Sequence, residues 1–125
     1  DNKYIAYISK KEIPQIYIMR IDGRGRKRLT FGPDLKQSIA FSPNGKRLIF
    51  ISEYKNRNYI YLMDKNGDNL IKLKTFRRRV YNCRFLNSNT ILFKMSKGIF
   101  SLNINTKRIR KVHSSKYSFF SISER

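Results

Sequence analysis

The hydrophobic positions of the chain recur at a fixed spacing. The apolar stretch IAYIS at 5–9 returns as LIFIS at 48–52 and as ILFKM at 91–95, 43 residues further along each time. A second series accompanies the first, and its copies are QIYIMRIDG at 15–23, YIYLMDKNG at 59–67 and GIFSLNINT at 98–106. A period of this length is typical of repeat architectures. The pattern predicts three copies of one structural unit.

Each unit is predicted to contain four short β-strands. In the middle unit the predicted strands are 38–42, 47–52, 58–64 and 70–74, all rich in β-branched and aromatic residues. Pro43-Asn44-Gly45 and Lys65-Asn66-Gly67 supply residues that tolerate positive φ, which predicts tight hairpin turns. No stretch has the 3.6-residue periodicity of an amphipathic helix. The predicted class is all-β with antiparallel sheets.

The middle unit, IAFSPNGKRLIFISEYKNRNYIYLMDKNGDNLIKL at 39–73, resembles the repeat of the TolB-like (PD40-type) β-propeller family. The family's F-S-P-D/N-G turn corresponds to 41–45 and its I-Y-x-M-D strand to 60–64. The first unit retains the leucine-threonine ending at 29–30, whereas the third lacks the proline and glycine after Phe85. The resemblance implies four-stranded blades around a central channel, about six in a whole propeller. It also implies an extracytoplasmic location, here the periplasm or cell envelope, and recognition of a protein segment at the channel mouth.

The predicted units span about 1–37, 38–80 and 81–116, followed by a closing strand at 117–125, and together they form one β-propeller domain. The chain starts in the phase of a second strand and ends in the phase of a first strand, so the two ends could complete one blade, as propellers commonly do. Two arrangements satisfy this geometry. In one, two chains exchange terminal strands to form a six-bladed homodimer, which symmetry favours. In the other, the chain is part of a longer propeller.

The high positive charge of the chain predicts the chemistry of its partner. The chain carries 28 Lys and Arg against 8 Asp and Glu, a net charge of +20, which favours an anionic ligand. The resemblance places loops 31–37, 76–80 and 114–116 at one channel mouth, and Arg side chains there would pair with carboxylates. The predicted partner-binding residues are Lys36, Lys55, Arg57, Phe76, Arg77, Arg78, Arg79, Tyr81 and Lys116. The predicted partner is a protein or peptide of acidic character.

The positive charge is also consistent with a less specific role. A basic module can bind nucleic acid or an anionic membrane surface through phosphate neutralisation alone. Compositional bias would likewise raise the net charge without selecting any partner, and a charge-rich loop can simply be solvated.

The sequence contains no recognisable catalytic arrangement. It has no Gly-x-Ser-x-Gly turn, no phosphate-binding glycine loop and no spaced Cys or His ligands. The single His113 is expected at the surface, and the single Cys83 lies in an apolar strand pattern and is expected in the core. We therefore expect a binding or scaffold module with no catalytic residue, metal or cofactor. A propeller domain separated from a hydrolase partner is the remaining enzyme-related alternative.

Overall fold

Three antiparallel β-sheets make up the part of the chain that the structure describes. The computed structural model describes residues 3–112, and none of these forms a helix able to cross a membrane. The strands are β1 Tyr4–Ser9, β2 Gln15–Arg20, β3 Lys27–Arg28, β4 Leu35–Phe41, β5 Arg47–Tyr54, β6 Arg57–Asp64, β7 Ile71–Phe76, β8 Val80–Asn87, β9 Thr90–Met95, β10 Gly98–Asn103 and β11 Ile109–Val112. The all-β prediction is confirmed.

Strands that follow one another in the sequence pair within each sheet. The first sheet has the order β1-β2-β3, the second β4-β5-β6-β7 and the third β8-β9-β10-β11, all antiparallel. The leading strands β4 and β8 contact each other, and β4 also contacts β1. The second sheet therefore lies between the first and the third.

Both predicted glycine turns form in the second sheet. The N–H of Gly45 donates to the carbonyl of Ser42 (2.9 Å), and the N–H of Gly67 donates to the carbonyl of Asp64 (2.8 Å). The two glycines have φ values of 72° and 93°, a region that strains residues with a Cβ. These turns fix the register of the hairpins β4–β5 and β6–β7.

Two apolar layers of the core lie between the sheets. Between the first and second sheets the buried residues are Ile16, Ile18, Leu29, Leu48, Phe50 and Met63. Between the second and third sheets they are Ile49, Ile51, Ile60, Leu62, Leu73, Val80, Cys83, Ile91, Phe93, Leu102 and Ile104. Successive residues of a strand point to opposite faces, so the second sheet is buried on both. This explains the uninterrupted apolar run 48–51.

Several strands have ends that differ from the expected ones. β4 begins at Leu35, three residues before the predicted start, because a bulge between Gln37 and Ala40 lets pairing with β5 continue upstream. Ser38 lies in this bulge with φ 54°. β7 likewise continues to Phe76, past an irregularity at Leu73 between its pairs with Tyr61 and Ile60. The unit boundaries remain predictions, and the closing strand 117–125 lies outside the described residues.

Candidate functional site

Five of the predicted partner-binding residues lie at one end of the second sheet. The register pairs Tyr54 with Arg57 and Asn58 with Phe76, which places the β5–β6 turn beside the loop 77–79. The exposed cations at this end, called the basic rim from here on, are Lys55, Arg57, Arg77, Arg78 and Arg79. Exposed charges of one sign, held on two neighbouring segments, create a local positive field.

Backbone conformation makes the β5–β6 turn tight. Lys55 and Asn56 form a two-residue turn and both have positive φ, 49° and 63°, as in the hairpin turns that match the twist of β-strands. The Lys55 Nζ lies 5.4 Å from the centre of the Tyr54 ring. In the neighbouring loop the Arg79 guanidinium lies 5.0 Å from the centre of the Tyr81 ring. Such contacts attract a cation to the ring face and favour these orientations.

Buried contacts anchor both ends of the loop 77–79. The Asn58 Oδ1 accepts a hydrogen bond of 3.1 Å from the N–H of Val80, and both residues are buried. Phe76 is half-buried and packs against Phe93, with ring centres 5.2 Å apart. The loop is thus fixed at each end, while its arginines remain exposed. Phe76 packs on the core with part of its side chain, and its role as a partner contact stays a prediction.

Lys36 does not lie in an exposed loop, contrary to expectation. It belongs to β4 and is 3% exposed. Its Nζ donates to the carbonyl of Gly32 (3.0 Å) and lies 3.1 Å from the Asp34 Oδ1. These partners offset the cost of taking an ammonium group out of water. The side chain is therefore occupied within the molecule, and Lys116 lies outside the described residues.

The remaining basic clusters lie away from the rim. The cluster 24–28 follows the turn after β2, and the cluster 107–111 follows the turn after β10, so both lie toward the opposite end of the sheets or on their outer strands. Arg24 forms an exposed ion pair of 2.7 Å with Asp22. The side-chain hydrogen bond from Arg24 lowers the pKa of that carboxyl group. At least part of this charge is neutralised locally.

Potential metal ligands are dispersed among the described residues. Within 3–112 no three His, Cys, Asp or Glu side chains cluster closely enough to hold a metal ion. Burial raises the pKa of the Cys83 thiol to about 12, so it is neutral at physiological pH and a poor nucleophile. His113 lies outside the described residues.

A groove beside the rim was not predicted from the sequence. It has a volume of about 390 Å³, and its lining residues are Pro33, Asp34, Ser52, Tyr54, Tyr59, Tyr61 and Lys72. We call it the tyrosine groove. The sequence contained one signal for it, since Tyr59 and Tyr61 are two residues apart in a strand and must share a face. Its second wall, contributed by the segment before β4, could not be assigned from spacing.

Known proteins resemble the chain in both sequence and structure. The Tol-Pal system protein TolB of Wolbachia sp. subsp. Drosophila simulans (strain wRi) is 32% identical over 81 residues, a match that covers 60% of this chain and 19% of that protein. The crystal structure of TolB from Acinetobacter baumannii superposes with a TM-score of 0.76 at 22% identity, covering 87% of this chain and 30% of that one. An oligogalacturonate lyase in complex with manganese gives 0.74 at 13% identity, covering 95% and 35%. No protein-family model matches the chain.

The antiparallel sheets, with three strands in the first and four in each of the other two, are blades of a β-propeller. The resemblance to the TolB-like β-propeller repeat family is confirmed by the curated relatives and the solved structures. The chain spans about a fifth of the length of the TolB protein to which it was matched. Because the lyase has the same architecture, the fold by itself does not determine whether a member is an enzyme.

Proposed function

We propose that the chain is a non-catalytic β-propeller module of the bacterial cell envelope that binds a protein or peptide of acidic character through the basic rim. The observation that carries the proposal is the convergence of five exposed cations on two adjacent segments at one end of the second sheet. The similarity to proteins of the Tol-Pal system supports a protein partner and an envelope location.

The carboxylates near the rim leave its charge largely uncompensated. Asp34 is engaged by the ammonium of Lys36 and by the hydroxyl of Ser52, which leaves Glu53 of β5 as one carboxylate against five cations. Among residues 3–112, the ion pairs within 4 Å join Arg24 to Asp22 and Lys36 to Asp34, and neither includes a rim residue. A partner's carboxylates would therefore meet cations that are exposed and not already paired. The planar guanidinium of arginine can bind a carboxylate through two parallel hydrogen bonds.

The main alternative is a module that binds nucleic acid or an anionic membrane surface, and the net charge of +20 favours it. Binding to a phosphate polymer would fall steeply with salt and would not depend on which basic residues are removed. A localised protein site would depend on the rim and would weaken less at moderate salt.

Paired charge reversals distinguish these functions. The rim variant is Arg78→Glu/Arg79→Glu, and the matched control is Lys46→Glu/Arg108→Glu, two exposed cations in turns at the opposite end of the sheets. Binding of a fluorescent Glu-Gly repeat peptide, of duplex DNA and of anionic vesicles would be titrated at several salt concentrations. We expect the rim variant to bind the peptide about tenfold more weakly and the control to change little, as for the loss of one or two charge-assisted contacts. Equal losses in both variants, with DNA or vesicles bound more tightly than the peptide, would support the alternative.

A further inference from the structure

The tyrosine groove is a wall of aromatic rings on one face of the second sheet. Residues paired across an antiparallel sheet share a face, and here Phe50 pairs with Tyr61 and Ser52 with Tyr59. The rings of Phe50 and Tyr61 are stacked, with centres 5.3 Å apart, and the Tyr59 ring lies 6.1 Å from that of Tyr61 at an angle of 42°. Tyr54 lies at the outer end and is 40% exposed. The groove therefore presents flat apolar surfaces to a ligand.

Cations lie along this wall. The Lys72 Nζ lies 4.9 Å from the centre of the Tyr59 ring, and Lys55 of the basic rim lies against Tyr54. The one carboxylate of the groove, Asp34, is occupied by Lys36 and Ser52. Burial, together with the charge of Asp34, raises the pKa of Tyr61, so its hydroxyl remains protonated and able to donate. The polar part of the ligand is thus expected to be an acceptor or an anion.

The backbone beneath the tyrosines cannot accept an added strand. β6, which carries Tyr59 and Tyr61, is hydrogen-bonded to β5 on one side and to β7 on the other. A peptide in the groove therefore meets ring faces instead of an open strand edge. Aromatic-lined grooves without a free edge suit the polyproline II conformation, which needs no backbone pairing and whose prolines pack on aromatic rings.

From this geometry we propose that the tyrosine groove binds an acidic, proline-containing segment of the partner in the polyproline II conformation. The prolines pack on Tyr54 and Tyr59, and an adjacent carboxylate meets Lys72. The proposal rests on the proposed function, since it specifies which acidic segments the rim and the groove accept together.

The test compares two synthetic peptides of equal charge and length, one with Glu-Pro-Pro repeats and one with Glu-Gly-Gly repeats. Fluorescence anisotropy with the full chain measures both affinities. We expect the proline peptide to bind about fivefold more tightly, the scale of one or two aromatic packing contacts. Tyr54→Ala should abolish this preference, because it weakens binding of the proline peptide more than binding of the glycine peptide. Lys72→Gln should lower the affinity for both peptides. This variant tests the groove while it keeps every aromatic ring.

Leu86→Ala is the matched control, because it removes an exposed apolar side chain from the third sheet, and it should leave the preference intact. Circular dichroism and urea midpoints establish that the variants are folded. Equal affinities for the two peptides, or a proline preference that survives Tyr54→Ala, would overturn the groove proposal while leaving recognition of acidic peptides by the rim intact. Failure of both peptides to bind would overturn the proposed function together with this one.

Discussion

The carboxylate of Asp34 lies 3.1 Å from the ammonium group of Lys36, a lysine whose side chain is almost completely buried. The same aspartate also meets the hydroxyl of Ser52 on β5. This pair joins the segment before β4 to the second sheet and forms the polar part of the groove wall. It is the only ion pair with a buried cation among the residues that the structure describes.

Replacing Asp34 should lower the free energy of unfolding more than removing the charge of Lys36. Asp34→Ala leaves a buried ammonium without its counterion, and we expect a loss of about 3 kcal/mol in the free energy of unfolding. Lys36→Met replaces the ammonium with an apolar chain of similar shape and should cost much less. Urea denaturation of the two variants provides the comparison. A Lys36→Met variant as unstable as Asp34→Ala would show that the cost does not come from an ammonium group left buried without its counterion.

The Asn58 side chain should stabilise the contact between the second and third sheets. Asn58→Ala leaves the buried N–H of Val80 without its acceptor, so we expect the free energy of unfolding to fall by about 1–3 kcal/mol. Asn105→Ala, in an exposed turn, is the control and should change stability little. Urea midpoints measure both. If the two variants lost the same stability, the hydrogen bond would have no special role.

The Cys83 thiol should make stability depend on pH in the alkaline range. Its pKa is about 12 in the folded chain, against an ordinary value of 9.0, so the folded state holds the proton more tightly than the unfolded state. The resulting contribution is complete below pH 9 and is lost as the pH rises from 9 towards 12. By about pH 10 the loss should be on the order of 1 kcal/mol.

Urea denaturation at about pH 7.5 and about pH 10 would measure this loss in the native sequence, in Cys83→Ala and in Val80→Ala. The last variant removes neighbouring apolar volume without removing a titrating group. We expect Cys83→Ala to show a smaller decrease between the two pH values than the native sequence and Val80→Ala. An identical decrease in all three would mean that the thiol is accessible to hydroxide while the chain is folded.

Self-association should increase with salt. Among residues 3–112, β1 is hydrogen-bonded only to β2, and strand exchange between two chains at its other edge is one of the two arrangements predicted from the sequence. Basic side chains, however, lie on the first and third sheets, which are the outer two. On the first sheet the Arg26 guanidinium lies over the Tyr17 ring, and on the third sheet Lys94 is opposite Ile99 in the strand register. Light scattering should therefore show a mass near 15.0 kDa at low salt, rising towards twice that value near about 0.5 M salt, where the repulsion is screened. A mass that stays at one chain under all conditions would exclude the homodimer.

The sequence predicted those features that depend on local chemistry. Gly45 and Gly67 marked the turns because few residue types adopt their φ values, and the alternation of apolar residues marked the strands. The start of β4 was missed because a bulge at Ser38 interrupts the alternation, and the buried state of Lys36 was missed because it depends on Asp34 and Gly32 folding back over it. The convergence of the basic loops at one end was expected from the family resemblance. The tyrosine groove was missed because it arises from register, which residue spacing does not fix.

The burial of the second sheet on both faces has a consequence for how the molecule opens. The first or the third sheet can separate from the second when one apolar layer is disrupted. The strands of the second sheet become exposed on both faces only when both layers are disrupted. Amide hydrogens of β5 and β6 should therefore exchange with solvent last, through global unfolding, whereas those of β1 and β11 exchange through partial openings of lower free energy. The stack behaves as a row of units with nearest-neighbour coupling, in which the central unit sets the upper limit of protection.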